Sequence, residues 1–213
     1  MTPLIGACMS GSDCGQVVEL LLRASADPSH VRTHLKQGTT TALICACCNG
    51  HSRKVEALVQ TAVDIEATST GTYGHCFTAL HFCRDGDPRC VELLLQAGAR
   101  VDAADSGGST ALYRACHRGN AYDLQIIKML LVEGKADPNL RHERTGHTPL
   151  GCACAEGHAK VAQRLLDNGA NPDAYGADGF SALMLACNEF KDPCGPECSG
   201  AVSISTARSV HNF

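Results

Sequence analysis

Six times along the chain a hydroxyl residue is followed by a short residue or proline, then a run of small apolar side chains. These blocks are Thr2 to Cys8, Thr41 to Cys47, Thr78 to Cys83, Thr110 to Cys116, Thr148 to Cys154 and Ser181 to Cys187. Their first residues lie 39, 37, 32, 38 and 33 positions apart. A second apolar run follows each of the first five: Val17 to Leu22, Val55 to Val59, Val91 to Leu95, Ile126 to Val132 and Val161 to Leu166. Within the third of these, Val91, Leu94 and Leu95 stand at i, i+3 and i+4, which lines one face of a helix. A polar turn then closes the unit, as in Ala97 to Asp102 and Asn168 to Asp173. The pattern predicts one helix-turn-helix unit copied along the chain.

Each part of the unit has a mechanical reading. The Thr hydroxyl can cap the orphan N–H groups of a helix start, and Pro3 and Pro149 at the next position suit a first helical turn. The leucine after it begins the buried stripe. A glycine in mid-unit tolerates the left-handed geometry that ends the first helix. The apolar face of the second helix cannot be buried within one unit, so neighbouring units have to stack.

A period near 33, the Thr-x-Leu start, the Gly-His pairs at Gly50-His51 and Gly157-His158 and the closing Gly-Ala-Asp-like turn recur in one order over about residues 1 to 190. In these features the chain resembles the ankyrin repeat. The resemblance implies an all-α solenoid of stacked helix-turn-helix units joined by β-turn or hairpin loops. It divides the chain into repeats at about 1-37, 38-74, 75-107, 108-144 and 145-177, a half repeat at 178-190 and a disordered tail at 191-213. It also implies that His81 bonds back to the capping Thr78, and that His51 and His158 are structural.

Departures from the unit fall in turns, which are exposed and forgiving. Repeat one carries about two extra residues in its inter-helix turn, at Gly11 to Gly15, and repeat three is one short at Asp85 to Pro88. An insertion around Ala121 to Gln125 is expected to lengthen the second helix of repeat four, and Lys135 intrudes into its closing turn. The connections Ser29 to Gly38 and Thr68 to Phe77 are long enough that their tips should project. Repeat one starts at Met1 with no β-turn ahead of it, and Pro193 and Pro196 interrupt the last repeat, which suggests a fragment of a longer protein or an incomplete gene product.

Composition narrows the function. A net charge of −4 with a pI near 6.2 gives no basic footprint for nucleic acid. No stretch reaches the roughly 18 apolar residues of a spanning helix, and no basic, apolar leader opens the chain. The expectation is a cytoplasmic protein, with the nucleus as the alternative. The chain has fourteen cysteines. Cys8, Cys47, Cys116, Cys154 and Cys187 share one slot, and Cys45 and Cys152 another, where a thiol serves as a compact hydrophobe. Cys194 and Cys198 in the tail have the spacing of half a zinc site, but only Cys187 and His211 stand near to complete it. No cofactor is expected. No nucleophile elbow, phosphate-cradling glycine loop or His-Glu-x-x-His helix occurs, so no enzyme is predicted.

Ankyrin-like arrays bind other proteins on a concave surface of turn tips and first helices. The resemblance therefore implies a non-catalytic scaffold or adaptor, expected to be monomeric. The alternative is a regulatory module within a larger kinase, channel or zinc-finger protein, and a weaker one is a metal or redox sensor using the tail cysteines. The exposed residues that leave the repeat pattern are Tyr113, Arg114, His117 and Arg118 on one first helix, Arg141, His142 and Arg144 on the next turn, and Tyr73, His75 and Phe77 in a lengthened loop. Between Gly108 and Thr145 there are six Lys or Arg against four Asp or Glu, which points to an acidic partner segment.

Overall fold

A computed structural model describes residues 2–12, 14–34, 38–70, 76–83 and 87–187. The chain divides into two compact units, Met1–Ser106 and Gly107–Phe213. The first contains α1 (Pro3–Met9), α2 (Gly15–Arg23), β1 (Arg32–His34), β2 (Gly38–Thr40), α3 (Ala42–Cys48), α4 (Ser52–Val59), β3 (Ser69–Thr70), β4 (Cys76–Phe77), α5 (Ala79–Phe82) and α6 (Arg89–Gln96). Helices α1, α3 and α5 form one packed row and α2, α4 and α6 a second. Their core is made of Leu4, Ile5, Val18, Leu43, Leu58, Val91 and Leu94.

Between the helix pairs the chain turns in small antiparallel hairpins, β1 on β2 with Arg32 opposite Thr40 and β3 on β4 with Ser69 opposite Phe77. Neighbouring hairpins are laced by hydroxyls. Thr39 N–H donates to Thr70 Oγ1 at 2.9 Å and Thr70 N–H returns the bond to Thr39 Oγ1 at 3.0 Å.

The second unit contains α7 (Ala111–Arg118), α8 (Ala121–Val132), α9 (Pro149–Ala155), α10 (Ala159–Asp167) and α11 (Ala182–Ala186). Here α7, α9 and α11 pack in a row, with α8 against α10. Its turns are tied together by Asn139, whose side chain donates to Gly169 O and accepts from Asn171 N–H. The helix at α8 runs 12 residues, against 8 or 9 for the other second helices, as its insertion predicted.

The helix starts follow the sequence. Thr2, Thr41, Thr110, Thr148 and Ser181 each accept from the backbone N–H three residues on. Thr78 and His81 close a reciprocal capping box, with Thr78 Oγ1 2.9 Å from His81 Nδ1. The first helix of the second unit ends at Gly119, φ 62°, where an added Cβ would sit 2.1 Å from the His158 ring. Two residues other than glycine take the left-handed place that Gly98 and Gly169 fill in other repeats: Ser25 at φ 62° and the intruding Lys135 at φ 55°.

One packing expectation needs correction. Cys8, Cys47, Cys116 and Cys154 are buried, but Cys187 in the same slot is exposed. Among the described residues no second helix follows α11. The tips of the two long connections, Asp85 and Gly86 of the short turn in repeat three and the tail from 188 onward lie outside the described residues.

Candidate protein-interaction surface

Of the residues singled out by sequence, seven fall in the second unit, on α7 and the turn that precedes α9. Tyr113 is held as the third residue of α7, its N–H on the Thr110 cap at 3.1 Å. Its ring stacks on His142, centroids 4.8 Å apart and planes at 24°. Its hydroxyl bonds the Thr145 and Cys152 side chains, and burial pushes the phenol above its ordinary range. His142 is itself buried. Its Nδ1 accepts from Thr145 N–H at 3.2 Å, while its backbone N–H donates to His147 O at 2.9 Å. Tyr113 is thus a half-buried strut between α7 and the next turn, rather than the free aromatic the sequence suggested.

The cations divide into two groups. Arg118 turns inward and grips Asp123, with Nη2 at 2.7 Å and Nε at 3.2 Å from Oδ1. Asp123 is fully buried and closes a capping box with Asn120 at the start of α8, so Arg118 neutralises a carboxylate that has left water. Arg141, His117 and Arg144 are exposed, and Arg114 is half-exposed. Arg141 donates to the Tyr175 carbonyl, and His117 lies 3.8 Å from Glu156. Of the arginines in this group the exposed ones are Arg141 and Arg144, with Arg114 half-exposed and its Nε buried.

Phe77 belongs to the first unit, where its ring meets Phe82 edge-on at 5.4 Å. Tyr73 and His75 lie outside the described residues, as do Cys194 and Cys198. Among the described residues no group of three His, Cys, Asp or Glu side chains is placed to hold a metal ion. The thiols are packing groups: burial pushes Cys8 up to about 12 and raises Cys45 and Cys116. Cys47 is raised chiefly by its hydrogen bond to the Cys83 thiol, with burial adding to it.

Three features escaped the sequence reading. Lys54 is 1% exposed, and its ammonium donates to Ala7 O at 2.8 Å, Ser10 O at 2.9 Å and Ser10 Oγ at 3.1 Å, with His51 Nδ1 at 3.1 Å. His147 and Asp178 pair at 2.9 Å between successive turns of the second unit. Tyr175 is an exposed aromatic joined to Arg141. Only the last carried a signal, an aromatic residue at a turn tip in a chain poor in them.

The repeat geometry agrees with a direct match. The family description Ankyrin repeats (3 copies) matches residues 1–70 and 117–194, and Ankyrin repeats (many copies) matches residues 79–131. The chain belongs to the ankyrin-repeat family. Among curated relatives, it is 47% identical over 60 residues to an ankyrin repeat and KH domain-containing protein of Caenorhabditis briggsae, covering 28% of this chain and 2% of that protein. It is 40% identical over 70 residues to protein phosphatase 1 regulatory subunit 27 of Mus musculus, covering 33% of this chain and 44% of that protein. The chain thus spans less than half the length of either. Among solved structures it resembles the ankyrin repeat domain of Bcl-3, described as a unique member of the IkappaB protein family, with TM-score 0.75 and 25% identity over 95% of this chain and 82% of that one. Among the described residues no helix is long and apolar enough to cross a membrane.

Proposed function

We propose that this chain is a non-catalytic interaction scaffold that holds an acidic protein segment on the second unit, along α7 and the turn before α9. The observation that carries it is the exposed Arg141 and Arg144 and the half-exposed Arg114 on the two elements that hold a stacked aromatic pair, Tyr113 on His142, in a chain of net charge −4. Tyr and Arg on a rigid support are what interface hot spots favour, because little side-chain entropy is lost on binding. Arg118 contributes by bracing α8, and Tyr175 extends the aromatic surface beside Arg141. The reading includes an array over residues 1-190 and a cytoplasmic setting in which the buried thiols stay reduced.

The test is capture of a partner from a native extract, followed by affinity measurements on variants. Arg114→Ala and Arg144→Ala are each expected to cost above about 1 kcal/mol in affinity with little change in melting temperature. Gln125→Ala and Lys128→Ala, both exposed on α8, should leave binding intact. Loss of binding in the α8 variants with full retention in the arginine variants would move the site to the opposite face.

A second reading, a regulatory module inside a larger protein, is favoured by the match to 2% of the KH domain-containing relative. A transcript that continues in frame beyond either end of this sequence would support it.

A further inference from the structure

We propose that Thr145 is a phosphorylation site, through which an arginine-directed protein kinase releases an acidic segment from the second unit. Release rests on the binding role proposed above; the modification itself does not. Thr145 is exposed in the turn before α9, with Arg144 directly ahead of it and Arg141 four residues ahead. Among the described serines and threonines it alone has two arginines within the four preceding residues. Kinases select substrates by such charge patterns, since basic residues on the substrate pair with acidic groups on the enzyme and like charge is rejected.

The turn is already built to hold an anion at this place. Thr145 stands three residues before the Thr148 cap, as Asp178 stands three before the Ser181 cap of the next repeat. Each is followed by a left-handed glycine, Gly146 at φ 68° and Gly179 at φ 79°. Asp178 Oδ1 accepts from Phe180 N–H at 3.1 Å, and Thr145 Oγ1 accepts from His147 N–H at 3.4 Å, the donor lying two residues on in both. One slot therefore carries a carboxylate in one repeat and a hydroxyl in the other, with the same backbone donor aimed at it.

The Thr145 hydroxyl is also the hub of the candidate surface. It lies 3.1 Å from His142 Nδ1 and bonds the Tyr113 hydroxyl, while Thr145 N–H donates to the same His142 nitrogen. In the transfer, Oγ1 attacks the terminal phosphorus of ATP and the bond from that phosphorus to the bridging oxygen breaks. ADP leaves, and the hydroxyl proton passes to the carboxylate base of the kinase. Oγ1 then has no proton to give to Tyr113 or His142. The phosphate brings about −1.5 to −2 charges at pH 7. Between Gly108 and Thr145 there are six Lys or Arg against four Asp or Glu, so one phosphate cancels the local positive excess. Arg141 and Arg144 are answered within their own turn, and an acidic segment meets like charge where it had met cations.

The test treats the full chain with ATP and a panel of arginine-directed protein kinases and maps the product by peptide mass spectrometry. A phosphoryl group on Thr145 is expected, absent from Thr145→Val and much reduced when Arg141→Ala and Arg144→Ala are combined. A fluorescent poly-glutamate peptide then serves as the acidic probe, titrated against both forms of the chain. The phosphorylated form is expected to bind it about tenfold more weakly or worse. Thr145→Asp should weaken binding in the same direction and melt close to wild type, because Asp178 already fills the equivalent slot. A chain that no kinase of the panel modifies at Thr145, or that is modified equally without the two arginines, overturns the site. Modification at Thr145 with unchanged poly-glutamate binding overturns the release. Poly-glutamate that fails to bind the unmodified chain overturns the acidic-segment role and the release with it, while the mapping still decides the site.

Discussion

Replacing Lys54 by methionine tests whether a buried charge stabilises the first helix pair or is merely tolerated there. The substitution keeps the length of the side chain and removes its ammonium, which makes four polar contacts between 2.8 and 3.1 Å. Ala7 O keeps a bond from Ser10 Oγ at 2.7 Å, and Ser10 is exposed enough for water to replace the lysine. The buried His51 ring, however, loses its donor at Nδ1. A hydrogen bond to a charged group nets about 1.5–3 kcal/mol, and bonds within one network do not add. Removing the ammonium also recovers a desolvation cost of several kcal/mol, so an apolar replacement can approach neutrality. Methionine matches the reach of the lysine it replaces, and the equivalent slots hold the buried apolar side chains Cys90 and Val161. The balance is a loss of about 1–3 kcal/mol, the cost of leaving the buried His51 ring acceptor unserved. Urea denaturation gives the total, and amide hydrogen exchange should locate the loss in α1 and α2, since repeats couple only to their neighbours. A Lys54→Met protein as stable as wild type, with unchanged exchange in α1, would refute the reasoning.

Other predictions follow from the thiols, the strained turn and the loop ion pair. Cys8, Cys47 and Cys116, whose folded environment disfavours the thiolate, should label far more slowly with a bulky thiol reagent at mildly alkaline pH than exposed Cys14 and Cys48; equal rates would contradict the packing account. Lys135→Gly relieves a left-handed residue, and thermal melting should show a gain of about 0.5–1 kcal/mol; no gain would mean that the lysine fits the turn without strain. Asp178 is held below the usual carboxylate range, first by the Phe180 N–H and then by His147. Its contribution is therefore full above the unfolded carboxylate range and is lost as pH falls toward the lowered folded value. Asp178→Asn should flatten the acid limb of a stability-against-pH curve and leave the neutral region's slope unaltered; an unchanged acid limb would exclude this pair as its source.

The sequence by itself determined the repeat, because each of its signals is local. A threonine hydroxyl caps the helix it begins, a left-handed glycine ends it, and an i, i+3, i+4 stripe requires a neighbour. The Thr78–His81 box, the caps at Thr2 and Thr148 and the long α8 were all legible without coordinates. What the residues on those helices touch was decided only by tertiary structure, since contacts between repeats join positions some 30 to 50 apart in the chain. Lys54 reads in the sequence as a surface cation on a second helix, yet its side chain lies among the carbonyls of the preceding pair. Arg118 and Tyr113 read as free interface residues, yet one neutralises the buried Asp123 and the other braces the next turn. Cys187 occupies a core slot by sequence and is exposed, because burial in a stacked array depends on whether a neighbour covers the slot as well as on what fills it.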